Sequence, residues 1–198
     1  MLTNMLKKTL SILIVSSIFE IYPAEGRILN VPAAYPTIQA GINSAVDGDT
    51  VLAAAGTYTG AGNVNLNFLG KAIVVISASG ADNTIINCQN RARGALFVSG
   101  EGNETIFEGF RVINGLTGID AYGGGALCWE SSPVIRNNQF ITCQAYYGGG
   151  IGVIGGNPII ENNLFEGNIG DRGGGIIIAG GGATITSNSF IDNYSTGG

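Results

Sequence analysis

The chain contains no histidine, and charged residues make up only 12% of its 198 positions. Cysteines number three, at 88, 128 and 143, and none forms a CxxC pair, so neither His nor Cys supplies a metal-ligand spacing. Nine basic residues against 14 acidic ones leave a formal net charge of −5. That balance argues against nucleic acid and other polyanionic polymers, whose binding needs basic clusters. The apolar runs are too short to span a bilayer comfortably, which excludes a transmembrane helix.

What the chain has in quantity is glycine, 33 residues, together with 45% hydrophobic residues. This combination suits short strands joined by tight corners and is too apolar for disorder. From Gly123 one pattern is written three times: GGGALCWESSPVIRNNQF, GGGIGVIGGNPIIENNLF and GGGIIIAGGGATITSNSF, starting at Gly123, Gly148 and Gly173. A regular period of about 20 to 50 residues marks a solenoid, in which each unit buries its apolar side only by stacking on its neighbours. Gly197 and Gly198 open a fourth unit, so the reading expects C-terminal coils of the same chain to be missing.

The aligned copies are legible column by column. Ile135, Ile160 and Ile185 form an aliphatic core stack and Phe140, Phe165 and Phe190 an aromatic one, with about 4.8 Å between parallel rungs. Asn138, Asn163 and Asn188 recur at a corner, where an inward amide ladder satisfies backbone groups that the bend leaves unpaired. Arg136 and Glu161 share an outward column and are expected to pair across rungs, a contact worth at most about 1 kcal/mol.

Upstream, Lys7 and Lys8, the apolar run Thr9 to Phe19 and the Tyr22-Pro23-Ala24 segment have the layout of a secretory leader over residues 1–24. Residues 25–50 form a lead-in with a short amphipathic helix: Thr37 is its cap, Ile38, Ile42, Ala45 and Val46 its apolar face, and Asp47-Gly48-Asp49 its end. Such a helix covers the open first coil, which would otherwise expose core and strand edges. Residues 51–198 are the solenoid, irregular at first and regular from 123. In an exported chain three cysteines leave at least one unpaired; Cys128 and Cys143 either bridge within a repeat or, like Cys88, fill small core positions.

The stretch VPAAYPTIQAGINSAVDGDTVLAAAGTY, the TIFEGFRVING motif at Thr105 to Gly115 and the GGG…SPVIRNNQF units resemble exported right-handed parallel β-helix repeat proteins of the pectin lyase-like superfamily, over roughly residues 28 to 198. The resemblance implies an all-β, right-handed parallel β-helix with an N-terminal capping helix. It implies no single activity, because that superfamily includes lyases, polygalacturonases, methylesterases, epimerases and proteins with no assigned reaction. The polygalacturonase signature fails for want of histidine and of an Asp-Asp pair, and the methylesterase catalytic motifs have no counterpart. Lyases of this fold group carboxylates for Ca²⁺ on one strand face, whereas the outward positions of the GGG strands here are Leu127, Gly152, Ile177, Trp129, Ile154 and Ala179.

One constellation reads as a ligand site. Tyr122, Tyr147 and Arg172 directly precede the three GGG turns, and Tyr146 and Asp171 stand one position earlier. Stacked along one edge they form either an aromatic strip for a polysaccharide chain or ordinary cross-rung stacking that stiffens a loop. A structural Ca²⁺ at Asp120 and Asp171 is weighed and set aside, since the repeat between them offers Tyr146; no cofactor is expected. The carboxylates Glu130, Glu161, Glu166, Asp171 and Asp192 occupy different repeat positions, so no paired acid and base is evident. The reading is therefore a secreted or cell-surface, noncatalytic scaffold or adhesin-like module with a polysaccharide or cell-surface glycan as partner. The alternative is a polysaccharide lyase, hydrolase or epimerase whose active residues lie in the missing coils.

Overall fold

The computed structural model describes residues 26–118 and 121–197; the expected leader at 1–24, and Asp120, lie outside the described residues. The chain winds into a parallel β-solenoid. Its first sheet has seven strands: Ile28–Val31, Thr50–Ala53, Val74–Ser77, Ile106–Glu108, Val134–Arg136, Ile159–Glu161 and Thr184–Thr186. A second sheet stacks Leu66–Asn67, Ala95–Phe97, Ala126–Trp129, Ile151–Ile154 and Ile176–Ala179, and a third stacks six strands from Gly56–Thr59 to Ser189–Ile191. The fourth has only three, Gln144–Tyr147, Ile169–Arg172 and Tyr194–Ser195. The coils expected to be irregular, before residue 123, supply strands to the first three sheets.

Register is in phase throughout the regular coils: Ile135 pairs with Ile160 and Ile160 with Ile185, and Phe140 with Phe165 and Phe165 with Phe190. The Phe rings stack at 5.3 and 4.9 Å, 12° and 8° from parallel. The GGG motif follows from this packing. Its first glycine takes a positive φ of 63°, 68° and 70° in the three copies, and a Cβ on its third would stand 2.5 to 2.9 Å from the Phe140, Phe165 or Phe190 ring.

The NN corner divides two tasks between its residues. Asn137 and Asn162, and Ser187 in the third copy, adopt left-handed backbone with φ of 54 to 56°. The second Asn points inward: Asn163 Oδ1 accepts from the Asn138 backbone N–H at 3.0 Å, and Asn163 Nδ2 donates to the Ile135 carbonyl at 2.9 Å. Asn188 repeats the arrangement on Asn163 and Ile160. A second amide ladder, not anticipated from the sequence, runs at Asn168 and Asn193, with Cys143 occupying the same column in the first copy and donating its backbone N–H to Asn168 Oδ1 at 2.9 Å.

The helix Ile38–Ser44 closes the first coil, with Thr37 Oγ1 accepting from the Ala40 N–H at 3.2 Å. Ile38, Ile42 and Ala45 are buried, but Val46 is 59% exposed: the backbone is already extended at Ala45, which carries Val46 off the helical face. Lys71 Nζ donates to the carbonyls of Ile42, Asn43 and Ala45 at the helix end, and buried Asp49 accepts from Arg27 and from the Val46 N–H. Among the described residues no helix is long and apolar enough to cross a membrane.

Two expectations are corrected or decided. Arg136 bonds Glu108 at 2.8 Å, on the preceding rung, and forms no ion pair with Glu161, because its register gives it a carboxylate on both sides and the Glu108 side also engages Asn137. All three cysteines are free and buried, so the core reading holds over a Cys128–Cys143 bridge, and burial pushes each thiol well above its ordinary range.

Candidate functional groove on the fourth sheet

The fourth sheet places the predicted ligand residues. Along Gln144–Tyr147, Ala145 is buried while Gln144 is exposed and Tyr146 half-buried, the alternation expected of a strand with one face on the core. Tyr122 bridges to Tyr147, and Tyr147 pairs with Arg172 one rung on. The Tyr122 and Tyr147 rings stack at 4.4 Å and 21°, and Tyr146 meets Tyr147 edge-to-face at 4.6 Å and 72°. Each such aromatic pair is worth about 0.5–1.5 kcal/mol beyond burial. Tyr147 is thus engaged by two neighbours, and the free aromatic surface belongs to Tyr122 and Tyr146. The structure brings Tyr122 and Tyr147 into one stack, leaves Arg172 exposed beside it in register, and assigns Tyr146 and Asp171 to a separate depression.

That depression is an open cleft of about 260 Å³ lined by Thr117, Gln144, Tyr146, Ile169, Asp171 and Thr196. The Asp171 carboxylate beside Tyr146 raises the phenol's pKa above its ordinary value, first by charge repulsion and then by accepting its hydrogen bond. Hydroxyl, amide and carboxylate groups next to a ring are the donor and acceptor set that a carbohydrate's hydroxyls and apolar face require. A second cleft, of about 300 Å³, adjoins the first through Thr117 and Gly118, and the two form one groove. Thr117 Oγ1, on the shared wall, is the one buried side-chain polar atom among the described residues without a hydrogen-bond partner. Thr117 and Gln144 escaped the sequence reading because they share no repeat column with Tyr122, Tyr146 or Tyr147, whereas Thr196 stands in the column of Tyr146 and Asp171, beyond the three repeats that were aligned.

On the GGG strands the positions expected to face outward carry no polar side chain; Trp129 is half exposed, whereas Leu127, read as outward, is buried. No group of three or more Cys, Asp or Glu side chains that could hold a metal ion occurs among the described residues.

Comparison with known proteins agrees with the winding of the chain. Residues 50–197 match the family model described as a right handed beta helix region. No curated protein and no solved structure gives a significant match.

Proposed function

We propose, for a chain that belongs to the right-handed β-helix family, that it is an exported, noncatalytic scaffold or adhesin-like module that holds a carbohydrate chain in the groove of its fourth sheet, with a neutral sugar against Tyr146. The observation that carries this reading is Tyr146, braced edge-on by Tyr147 at 4.6 Å in a cleft with Asp171, Gln144 and Thr196. A braced ring presents a flat apolar surface at little entropic cost, and the polar groups around it match sugar hydroxyls. The Asp171 carboxylate disfavours an acidic sugar at this position. Export rests on the basic and apolar pattern of residues 1–24. An enzymatic reading has no observation in its favour, since Glu130, Glu161, Glu166, Asp171 and Asp192 stand at different repeat positions and no two form an acid and base across a cleft.

The test is affinity electrophoresis through gels containing neutral β-glucan or xylan. Retardation of the native chain, lost in Tyr146→Ala and reduced in Asp171→Asn with melting temperatures unchanged, is the expected result. Equal mobility of native chain and variants in every gel overturns the proposal.

A further inference from the structure

The second cleft of the groove is lined by Asn65, Arg91, Arg93, Leu116, Thr117 and Gly118, and none of the described residues on its walls is a carboxylate. In an acid-rich chain this is unusual company for two guanidinium groups. Arg27, Arg111 and Arg136 are each bonded to a carboxylate, and Lys71 is committed to the carbonyls at the helix end, whereas Arg91 and Arg93 carry no ion pair among the described residues.

Arg93 is fixed from both ends. Its backbone N–H donates to Asn65 Oδ1 at 2.8 Å, and its carbonyl accepts from the Asn65 N–H at 2.7 Å. Its Nε donates to the carbonyls of Tyr122 at 3.0 Å and Gly123 at 2.9 Å. The guanidinium has therefore lost its rotamer freedom before any ligand arrives. Neither Nη makes a hydrogen bond among the described residues, and burial disfavours the charge that an anion would restore. Thr117 adds an independent sign: it lines this same cleft, and its hydroxyl is buried without a partner.

We propose that this cleft is an oxyanion site for a sulfate or phosphate ester group, held by the Nη donors of Arg93, the guanidinium of Arg91 and the Thr117 hydroxyl. A guanidinium fork occupies two oxygens, and a hydroxyl from a separate element suits the third oxygen of a tetrahedral group better than a planar carboxylate. The site stands on its own residues, independent of the carbohydrate reading of the neighbouring cleft. An esterified glycan would span both clefts across Thr117.

Titration of the full chain with inorganic sulfate, inorganic phosphate and acetate, followed by amide chemical shifts, tests the site. Sulfate and phosphate are expected to saturate shifts around Arg93 and Thr117, with acetate weaker by about tenfold or more. Arg93→Gln should weaken binding by about tenfold or more, and Arg91→Gln and Thr117→Val by about three- to tenfold each. The last two side chains hold no backbone group in place, so these variants keep the test valid if Arg93→Gln disturbs the fold. Tyr146→Ala should leave sulfate binding unchanged, which separates this site from its neighbour. A sulfated oligosaccharide that binds more tightly than free sulfate identifies an ester on a glycan as the source; equal affinity identifies the free anion, and the oxyanion site stands in both cases. Absence of saturable shifts, acetate binding as tightly as sulfate, or unchanged affinity in Arg91→Gln and Thr117→Val overturns it.

Discussion

Replacing Asn163 with leucine removes a side chain of similar size from the middle of the inward amide ladder. Asn163 is 2% exposed, and its amide makes four contacts: Oδ1 accepts from the Asn138 N–H and Nδ2, and Nδ2 donates to the Ile135 carbonyl and Asn188 Oδ1. Leucine leaves the Asn138 N–H without a partner in the dry interior, Asn138 Nδ2 with its bond to Phe107 alone, and the Ile135 carbonyl with only its place in the strand ladder. One buried group stripped of its partner costs about 1–3 kcal/mol, so the loss is about 2 kcal/mol. With an unfolding slope of about 2 kcal/mol per molar urea, the midpoint falls by about 1 M. The neighbouring Asn162 has a different task, an exposed left-handed turn at φ 54° that glycine adopts freely, so Asn162→Gly should lie within about 0.5 kcal/mol of the native chain. Urea melts followed by far-UV circular dichroism separate the two. A loss below about 1 kcal/mol for Asn163→Leu, or an Asn162→Gly as damaging as Asn163→Leu, refutes the assignment of structural duty to the second Asn of the pair.

The other perturbations probe a corner and the cap. Thr142 holds φ 51° in a column with Asn114, Gly167 and Asp192, all left-handed, and it alone there is β-branched; Thr142→Asn should raise stability by up to about 1 kcal/mol, read as a higher urea midpoint, and a lower midpoint contradicts the strain argument. The Arg27 guanidinium, followed by the Val46 N–H, holds Asp49 well below the usual carboxylate range. Because the folded value is the depressed one, this contact stabilises the fold above the unfolded carboxylate's pKa of about 4 and is lost as pH falls below it. Thermal melts between neutral and acid pH should therefore decline less steeply for Asp49→Asn than for the native chain, and parallel curves count against the pairing.

Much of the fold is legible because solenoid columns repeat at a fixed offset. The Ile and Phe stacks and the Asn138, Asn163, Asn188 ladder need only the 25-residue register, and Thr37 announces the helix start by side-chain chemistry alone. The failures share a cause. Arg136 has Glu161 in the next regular repeat but Glu108 in an irregular coil 28 residues back, and only the three-dimensional register reveals that second partner. The Asn168 and Asn193 ladder escapes notice because Cys143 breaks its column, leaving two asparagines where three would have marked a pattern. Val46 fits a helical wheel that ends before reaching it. The tyrosines were found as neighbours of the GGG turns, but their grouping into a stack and a cleft depends on ring orientation, which sequence spacing does not carry.

The position of the groove follows from the one place where the late coils lose their period. Register partners Val134 and Ile159 lie 25 residues apart, as do Ile159 and Thr184, but Ile106 and Val134 lie 28 apart. The additional residues fall between the third-sheet strand ending at Ile113 and the turn at Gly123, since Ile113 pairs with Ile141 and Ala126 with Ile151. That stretch contains Thr117, Gly118 and Ala121, and Thr117 and Gly118 line both clefts. Inward columns cannot accept extra residues without breaking the stacks, and the described residues Thr117 and Gly118 of the longer coil line the two clefts. Thr117 Oγ1 is buried there without a partner. The same constraint that makes the core repetitive thus confines chemical variety to the coil whose length departs from the rest, and the polar groups that a ligand could use gather there.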